Sequence, residues 1–140
     1  MHKSTTSVDE YLEGLGGAQG EAMRALDLLI HPLMSGLSRT LWEGVFWGGT
    51  EQQIIGYGDL VQKRPRGIEV EWFLIGLAQQ KNYLSLYVNA VEDGDYVGCR
   101  FAESVGASKV GASSLSFKRF EDINLEALTD LIETARALAD

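Results

Sequence analysis

Residues 67–90 read GIEVEWFLIGLAQQKNYLSLYVNA and contain two strand-forming runs. Residues 67–78 and 82–90 are rich in aromatic and β-branched side chains, which favour strands, and the polar segment QQKN separates them. Such a short connection joins antiparallel strands, because a parallel pair needs a crossover of about a dozen residues or more. This stretch therefore predicts two neighbouring antiparallel strands.

Side-chain alternation predicts how the first of these strands is buried. Trp72 and Leu74 fall on one face of the strand, and Glu69 falls on the other. From Phe73 to Leu77 the second face is apolar as well. The far half of the strand is therefore predicted to be buried on both sides, and both faces of the sheet need cover there.

Similar runs precede and follow this stretch. Residues 39–47 and 52–62 are rich in Trp, Ile and Val, and the segments GGTE and KRPRG beside them have turn chemistry. These runs extend the prediction to an antiparallel meander over residues 40–89. Residues 113–120, SSLSFKRF, alternate serine with apolar side chains and predict a fifth strand at a sheet edge.

Amphipathic helices are predicted before the meander. Ser7 and Glu10 form a capping box that opens a short helix over Val8–Glu13. A second helix begins near Gln19, and Pro32 predicts that it ends or kinks just beforehand, because proline has no amide hydrogen. Its predicted apolar stripe is Met23, Leu26, Leu29, Ile30 and Leu33, and its predicted solvent side carries Glu21, Arg24 and Asp27.

Two further helices are predicted after the meander. Residues 95–106 suit a short helix, and Asn124 caps a final helix with apolar residues on one stripe. The predicted fold class is α+β: an antiparallel β-sheet meander packed against N-terminal and C-terminal helices. Residues 1–140 are interpreted as a single compact domain, with residues 1–6 disordered.

Composition limits the classes of function. The chain of 140 residues is 45% apolar, which suits one domain with one sizeable core. Its formal net charge of -8 argues against nucleic-acid and anionic-membrane partners. No run approaches the roughly 18 apolar residues of a membrane span, and no signal peptide is recognised. Together with the single Cys99, these features predict a cytoplasmic protein.

The glycine-rich segment GASKVGASSLSF, residues 106–117, superficially resembles a phosphate-binding loop. Such a loop needs a lysine at the start of a following helix, whereas this segment has Ala112 there and leads into a predicted strand. We therefore interpret it as a glycine turn, in which Gly106 and Gly111 supply positive φ angles.

The sequence contains no recognisable catalytic or metal-binding motif. Its two histidines are His2, near the terminus, and His31, at a predicted helix end, and neither has a partner nearby in sequence. No nucleophile motif and no calcium loop occur. Catalytic residues, cofactors and a defined metal site are predicted to be absent. An enzyme using Glu43 or Lys109 as acid or base is the least favoured reading.

The aromatic residues of the strands allow two interpretations. They can fill the core, or they can line a groove between the sheet and the helices that takes a small ligand or a peptide. In the second interpretation Glu43 and Lys109 are polar groups of the groove. The candidate ligand-binding residues are Trp42, Glu43, Trp47, Tyr57, Tyr87 and Lys109, with Trp72 also suited to the groove.

Four blocks of the chain resemble, in order, the YdhG-like family, known as domain of unknown function 1801. They are SVDEYLEGL, LWEGVFWGG, NYLSLYV and KVGASSLSFKRFEDINLEALTDLIETA. The resemblance implies a small α+β domain with an antiparallel sheet and terminal helices. The chain departs from the family in WEGVFW, which lacks the proline of the family motif, and in a longer hairpin around QKRPRGIEVEW.

The resemblance also implies an alternative function, because some members of that family are described as frataxin-like intracellular iron chaperones. Only acidic helix positions could hold iron weakly in this chain, and no ligand set transfers residue by residue. These positions are Asp9, Glu10 and Glu13 in the first helix, and Glu126, Asp130 and Glu133 in the last. The favoured expectation is a non-enzymatic binding domain for a small molecule or protein partner. A homodimer formed through an edge strand or an apolar face is left open.

Overall fold

The computed structural model describes residues 1–45, 49–63 and 65–139. These ranges contain four α-helices and nine β-strands. The helices are α1 (Val8–Glu13), α2 (Gly17–Leu33), α3 (Gly98–Val105) and α4 (Leu125–Ala139). The strands are β1 (His2–Lys3), β2 (Arg39–Val45), β3 (Glu51–Lys63), β4 (Glu69–Gln79), β5 (Leu84–Val88), β6 (Val91–Glu92), β7 (Asp95–Tyr96), β8 (Lys109–Val110) and β9 (Ser114–Phe117).

The predicted antiparallel α+β fold is confirmed. Seven strands form one sheet in the order β1-β2-β3-β4-β5-β9-β8, and β6 and β7 form a separate hairpin. Strands β2 to β5 are the predicted meander. The prediction of an edge position for the fifth strand is wrong, because β8 pairs outside β9 through Lys109 and Ser116. At the opposite edge, where residues 1–6 were expected to be disordered, His2 pairs with Glu43.

All four helices contribute to the main core on one side of the sheet. Helices α2 and α4 contact β4, and α3 contacts β9 and α4. The fully buried side chains include Met23 and Ile30 from α2, Ile75 from β4 and Ile132 from α4. This face therefore has the helical cover that its apolar side chains require.

Local sequence signals set the helix boundaries. The Ser7 hydroxyl accepts a hydrogen bond from the Glu10 amide at 3.1 Å, and the Asn124 side chain accepts one from the Ala127 amide at 3.1 Å. Helix α2 includes Pro32 and ends at Leu33, two residues beyond His31, near which an end or kink was predicted. The Leu33 carbonyl accepts a hydrogen bond from Arg136 at 2.9 Å, which ties the end of α2 to α4.

A second cluster lies away from the helices and consists of strand residues with a contribution from Met1. We call it the aromatic cluster; its buried members are Trp42, Ile54, Trp72, Phe73, Ala78 and Tyr87. No helix residue belongs to it among the residues that the structure describes. The sheet thus has two apolar faces, as predicted, but the helices cover only one of them in the described ranges.

The division of β4 between the two faces differs from the predicted alternation. Trp72 and Phe73 both belong to the aromatic cluster, whereas Leu74 and Ile75 both belong to the main core. Gly58, with a φ of +79°, stands opposite this point on β3. The glycine permits a backbone conformation that breaks the two-residue period, and a strict-alternation prediction misses such a break.

Gly106 ends α3 in the left-handed conformation, with a φ of +93°, as predicted from the glycine turn. Gly111, also predicted to have a positive φ, is not among the glycines that do. A phosphate-binding loop does not form, because the segment after Gly111 is strand β9 and not a helix. The glycine pattern of residues 106–117 therefore has a structural role in the path of the backbone.

Replacing Gly106 with alanine is expected to lower the free energy of unfolding by about 2–4 kcal/mol, through positive-φ strain and overpacking together. A Cβ atom there would lie 2.3 Å from the Asp122 carbonyl oxygen. Gly94 is a matched control, because its φ is +85° and no atom of the described residues lies within 4 Å of its Cβ position. Urea unfolding of both variants isolates the clash. Equal losses would show that only backbone strain matters at Gly106.

None of the helices in the described ranges has the length and apolar character needed to cross a membrane.

Candidate functional site

The structure separates the six predicted ligand-binding residues. Trp42 and Tyr87 belong to the aromatic cluster, whereas Tyr57 is fully buried in the main core on the other face of the sheet. Glu43 lies on β2 and Lys109 on the edge strand β8, with four strands between them. Trp47 lies outside the described residues. The prediction that these side chains share one groove is therefore wrong for Tyr57, Glu43 and Lys109.

The centre of the interface between the sheet and the helices is filled by apolar side chains among the residues that the structure describes. The cavity found there has a volume of only about 10 Å³ and is lined by residues such as Leu26, Leu77 and Leu128. This volume is too small for a ligand. The predicted groove is therefore not at the centre of this interface, where the apolar faces of α2 and α4 occupy the space. The clefts that combine strand and helix residues lie at its margins.

Tyr57 takes part in a buried polar network instead of a ligand site. Its hydroxyl donates a hydrogen bond of 2.6 Å to Asp27, and the Arg39 guanidinium donates two to the same carboxylate, at 3.1 and 2.5 Å. Arg39 also contacts Asp9 at 3.0 Å. These partners explain how the Asp27 side chain is buried within an apolar core.

Asp27 was predicted to face solvent, and this prediction is wrong, because the residue is 7% exposed. A signal was available in the sequence. Asp27 follows Met23 by four positions and precedes Ile30 by three, so it lies on the apolar stripe of α2. A carboxylate on such a stripe predicts a buried cationic or hydrogen-bonding partner.

Electrostatics keep the Tyr57 phenol neutral and the Arg39 guanidinium charged. Burial raises the pKa of Tyr57 well above 10, and the adjacent Asp27 carboxylate raises it further. Burial lowers the pKa of Arg39, but hydrogen bonds and charge interactions with Asp27 and Asp9 outweigh that effect and raise it overall. A neutral phenol and a guanidinium cation therefore both donate to Asp27, which makes the network a structural feature.

The aromatic cluster is packed around Phe73 through one stacked and two edge-to-face ring contacts. The Phe73 ring stacks on Trp72 at a centroid distance of 4.6 Å and meets Trp42 and Tyr87 at 5.8 and 6.2 Å. The paired glycines Gly56 and Gly76 leave room for these rings on the sheet. A Cβ atom at Gly76 would lie 2.3 Å from the Phe73 ring. Most of the cluster is therefore core, which agrees with the first interpretation of the aromatic residues.

Two members of the cluster also line a cleft of about 440 Å³. It lies beside the outer ends of β3 and β4, next to the segment that follows β5 and the end of α4. We call it the tryptophan cleft. The lining residues used below are Trp72, Tyr87, Gln62, Asn89, Val91 and Ser113.

The tryptophan cleft combines apolar and polar groups. Trp72, Tyr87 and Val91 give apolar surface, whereas Gln62, Asn89 and Ser113 supply hydrogen-bonding groups. The side chain of Asn89 is itself fixed, because its amide donates to the Phe73 carbonyl at 2.8 Å. Burial raises the pKa of Tyr87 and outweighs the lowering effect of its hydrogen bonds with Ser85 and Gln80, so its phenol is neutral near pH 7. The cleft therefore suits a small, partly apolar molecule.

Glu43 and Lys109 line two other clefts. Glu43 belongs to a cleft of about 750 Å³ beside the β2–β3 and β4–β5 connections. We call it the glutamine cleft after Gln19, Gln52, Gln53, Gln79 and Gln80. Lys109 lines a cleft of about 370 Å³ near Tyr83 and Lys118. The sequence identified Glu43 and Lys109 as candidate polar residues, but it did not show that they line different clefts. The distance between their strands in the sheet is visible only in the fold.

The acidic positions show no metal-binding arrangement in the described part of the chain. No group of three or more His, Cys, Asp or Glu side chains is placed to hold a metal ion there. Asp9 is paired with Arg39. Residues 92–95, EDGD, form the turn of the β6–β7 hairpin, in which Asp93 and Gly94 have positive φ angles.

The fold and clefts define a single-domain α+β protein with a one-sided helical layer and an aromatic cluster on the opposite sheet face. No protein-family model, curated protein or solved structure matches the chain. The YdhG-like resemblance therefore stays a prediction.

Proposed function

We propose that this protein is a non-enzymatic cytoplasmic binding domain that takes a small, partly apolar ligand in the tryptophan cleft. The observation that carries the proposal is the position of Trp72 and Tyr87, which join the aromatic core to an open cleft of about 440 Å³. This volume lies in the usual range of small-molecule sites, about 300–1,000 Å³.

The polar groups of the tryptophan cleft support recognition of a ligand that also forms hydrogen bonds. Gln62, Asn89 and Ser113 line the same cleft as the two aromatic rings. A few polar groups in an otherwise apolar site set the orientation of a ligand.

Replacing Val91 with glutamate is expected to weaken binding of the neutral dye N-phenyl-1-naphthylamine about tenfold, because a charge must be desolvated beside the dye. Val91 lines the cleft and is 50% exposed. Val110 is a matched control outside this cleft, at 49% exposed on another two-residue strand. Dye fluorescence titration of both variants gives the two dissociation constants.

The proposal predicts that Val110→Glu binds the dye as the unmodified protein does. Dye-induced changes in the backbone amide spectrum should fall on residues 60–63, 72 and 89–91, which line the cleft. Equal binding by the two glutamate variants, or amide changes elsewhere in the chain, would contradict the site. The iron-chaperone alternative stays a prediction from the resemblance.

A further inference from the structure

The glutamine cleft is chemically unlike the tryptophan cleft. Each of its described lining residues has a polar side chain, and five of them are glutamines. Its only described charged residues are Glu43, Glu51 and Lys81, which sum to a single negative charge. Such a surface offers many hydrogen-bond donors and acceptors and little apolar area.

Hydrogen bonds within the cleft hold several of these side chains in place. The Gln80 amide donates to the Gln52 carbonyl oxygen at 2.9 Å, and the Gln52 amide donates to the Thr50 hydroxyl at 3.3 Å. The Gln53 amide donates to Glu43 at 3.1 Å. Side chains fixed by their neighbours lose less conformational entropy when a ligand binds.

Other polar groups in the cleft have hydrogen-bonding capacity to spare. Tyr11 is only 9% exposed, and its hydroxyl forms no hydrogen bond to any described residue. No described polar side-chain atom is both fully buried and unpartnered, so this hydroxyl reaches the cleft surface. Burial raises the pKa of Tyr11, which keeps the phenol neutral. The half-buried amide of Gln79 also has no partner in the described ranges.

These groups select a class of ligand. Amides and phenols both donate and accept hydrogen bonds, as alcohol hydroxyls do. The carboxylates of Glu43 and Glu51 accept from hydroxyls and repel anions, and the net charge of -8 adds to that repulsion. A cationic ligand would be repelled by the charge of Lys81, and the amide N–H donors of the cleft would have no acceptor. We propose that the glutamine cleft binds a neutral polyhydroxylated ligand, such as a saccharide, at a site separate from the tryptophan cleft.

The test uses three neutral saccharides, maltotriose, cellotriose and trehalose, added separately to the ¹⁵N-labelled full chain. At least one of them is expected to shift the backbone amides of residues 50–53 and 79–81. Tyr11→Phe removes only a hydroxyl, and Gln79→Leu removes one amide group. Each variant is expected to weaken the binding saccharide about two- to tenfold, the range for the loss of one hydrogen bond.

Tyr96→Phe is the matched control, because Tyr96 lines the tryptophan cleft. It should leave saccharide affinity unchanged, and a dispersed amide spectrum confirms that each variant is folded. The proposal is overturned if none of the three saccharides shifts these amides. It is also overturned if spermidine or inorganic phosphate shifts them in place of the saccharides. The two clefts are tested with different probes. A negative saccharide result therefore does not affect the outcome of the dye experiment on the tryptophan cleft.

Discussion

Replacing Asp27 with alanine is expected to lower the free energy of unfolding by about 3–5 kcal/mol, the usual cost of breaking a buried ion pair. The carboxylate accepts hydrogen bonds from Tyr57 and Arg39 in a region largely closed to water. Its removal leaves a guanidinium without its main partner and a buried phenol without an acceptor. Urea unfolding at pH 7, followed by circular dichroism, gives the change.

Two further variants separate the parts of this network. Tyr57→Phe removes one hydrogen bond and leaves the ion pair, so a loss of about 1–2 kcal/mol is expected. Asp9→Ala removes the second acidic partner of Arg39. Because the Asp9 side chain is 79% exposed, this loss should cost about 0–1 kcal/mol. If Asp27→Ala proves no more damaging than Asp9→Ala, the buried carboxylate is not the centre of the network.

Replacing Phe73 with alanine is expected to cost about 3–5 kcal/mol, the range for deleting a buried aromatic ring. The ring is fully buried and contacts Trp42, Trp72 and Tyr87. The surrounding rings come from three strands, β2, β4 and β5, and this limits their collapse into the vacated space. Thermal and urea unfolding measure the loss, and near-ultraviolet circular dichroism reports the altered environment of the tryptophans.

Gly76 provides an internal check on this packing. Gly76→Ala should cost about 1–3 kcal/mol by itself, because its Cβ atom would overlap the Phe73 ring. With Phe73→Ala already present, that overlap is gone and the added methyl group should cost little. The double-mutant cycle is therefore expected to be strongly non-additive. Additive losses would show that Gly76 is not present to make room for the ring.

The Asp27 network and the Phe73 ring lie on opposite faces of one sheet, and this arrangement was only partly predictable from the sequence. Short connections fixed antiparallel pairing over residues 40–89, and the alternation after Glu71 indicated two buried faces. Alternation alone could not reveal that β4 changes its facing pattern between Phe73 and Leu74. That change depends on the backbone conformation and on the packing of β3, including Gly58, against its neighbours.

The candidate site was less predictable than the fold. Aromatic strand residues were recognised, but their sequence spacing did not say which cleft each one lines. Tyr57 entered the main core and bonded Asp27, a residue 30 positions away. The glutamines of the second cleft come from α2 and from the ends of β3 and β4, and no sequence motif links them.

By itself, the sequence determined features that depend on neighbours a few residues apart. These include the Ser7 and Asn124 helix caps, the left-handed turn at Gly106 and the antiparallel order of β2 to β5. Only the tertiary structure decided the burial of Asp27 and the separation of the tryptophan and glutamine clefts. The physical reason is range: caps and turns are satisfied by nearby backbone groups, whereas a buried charge or a cleft depends on side chains that only long-range packing brings together.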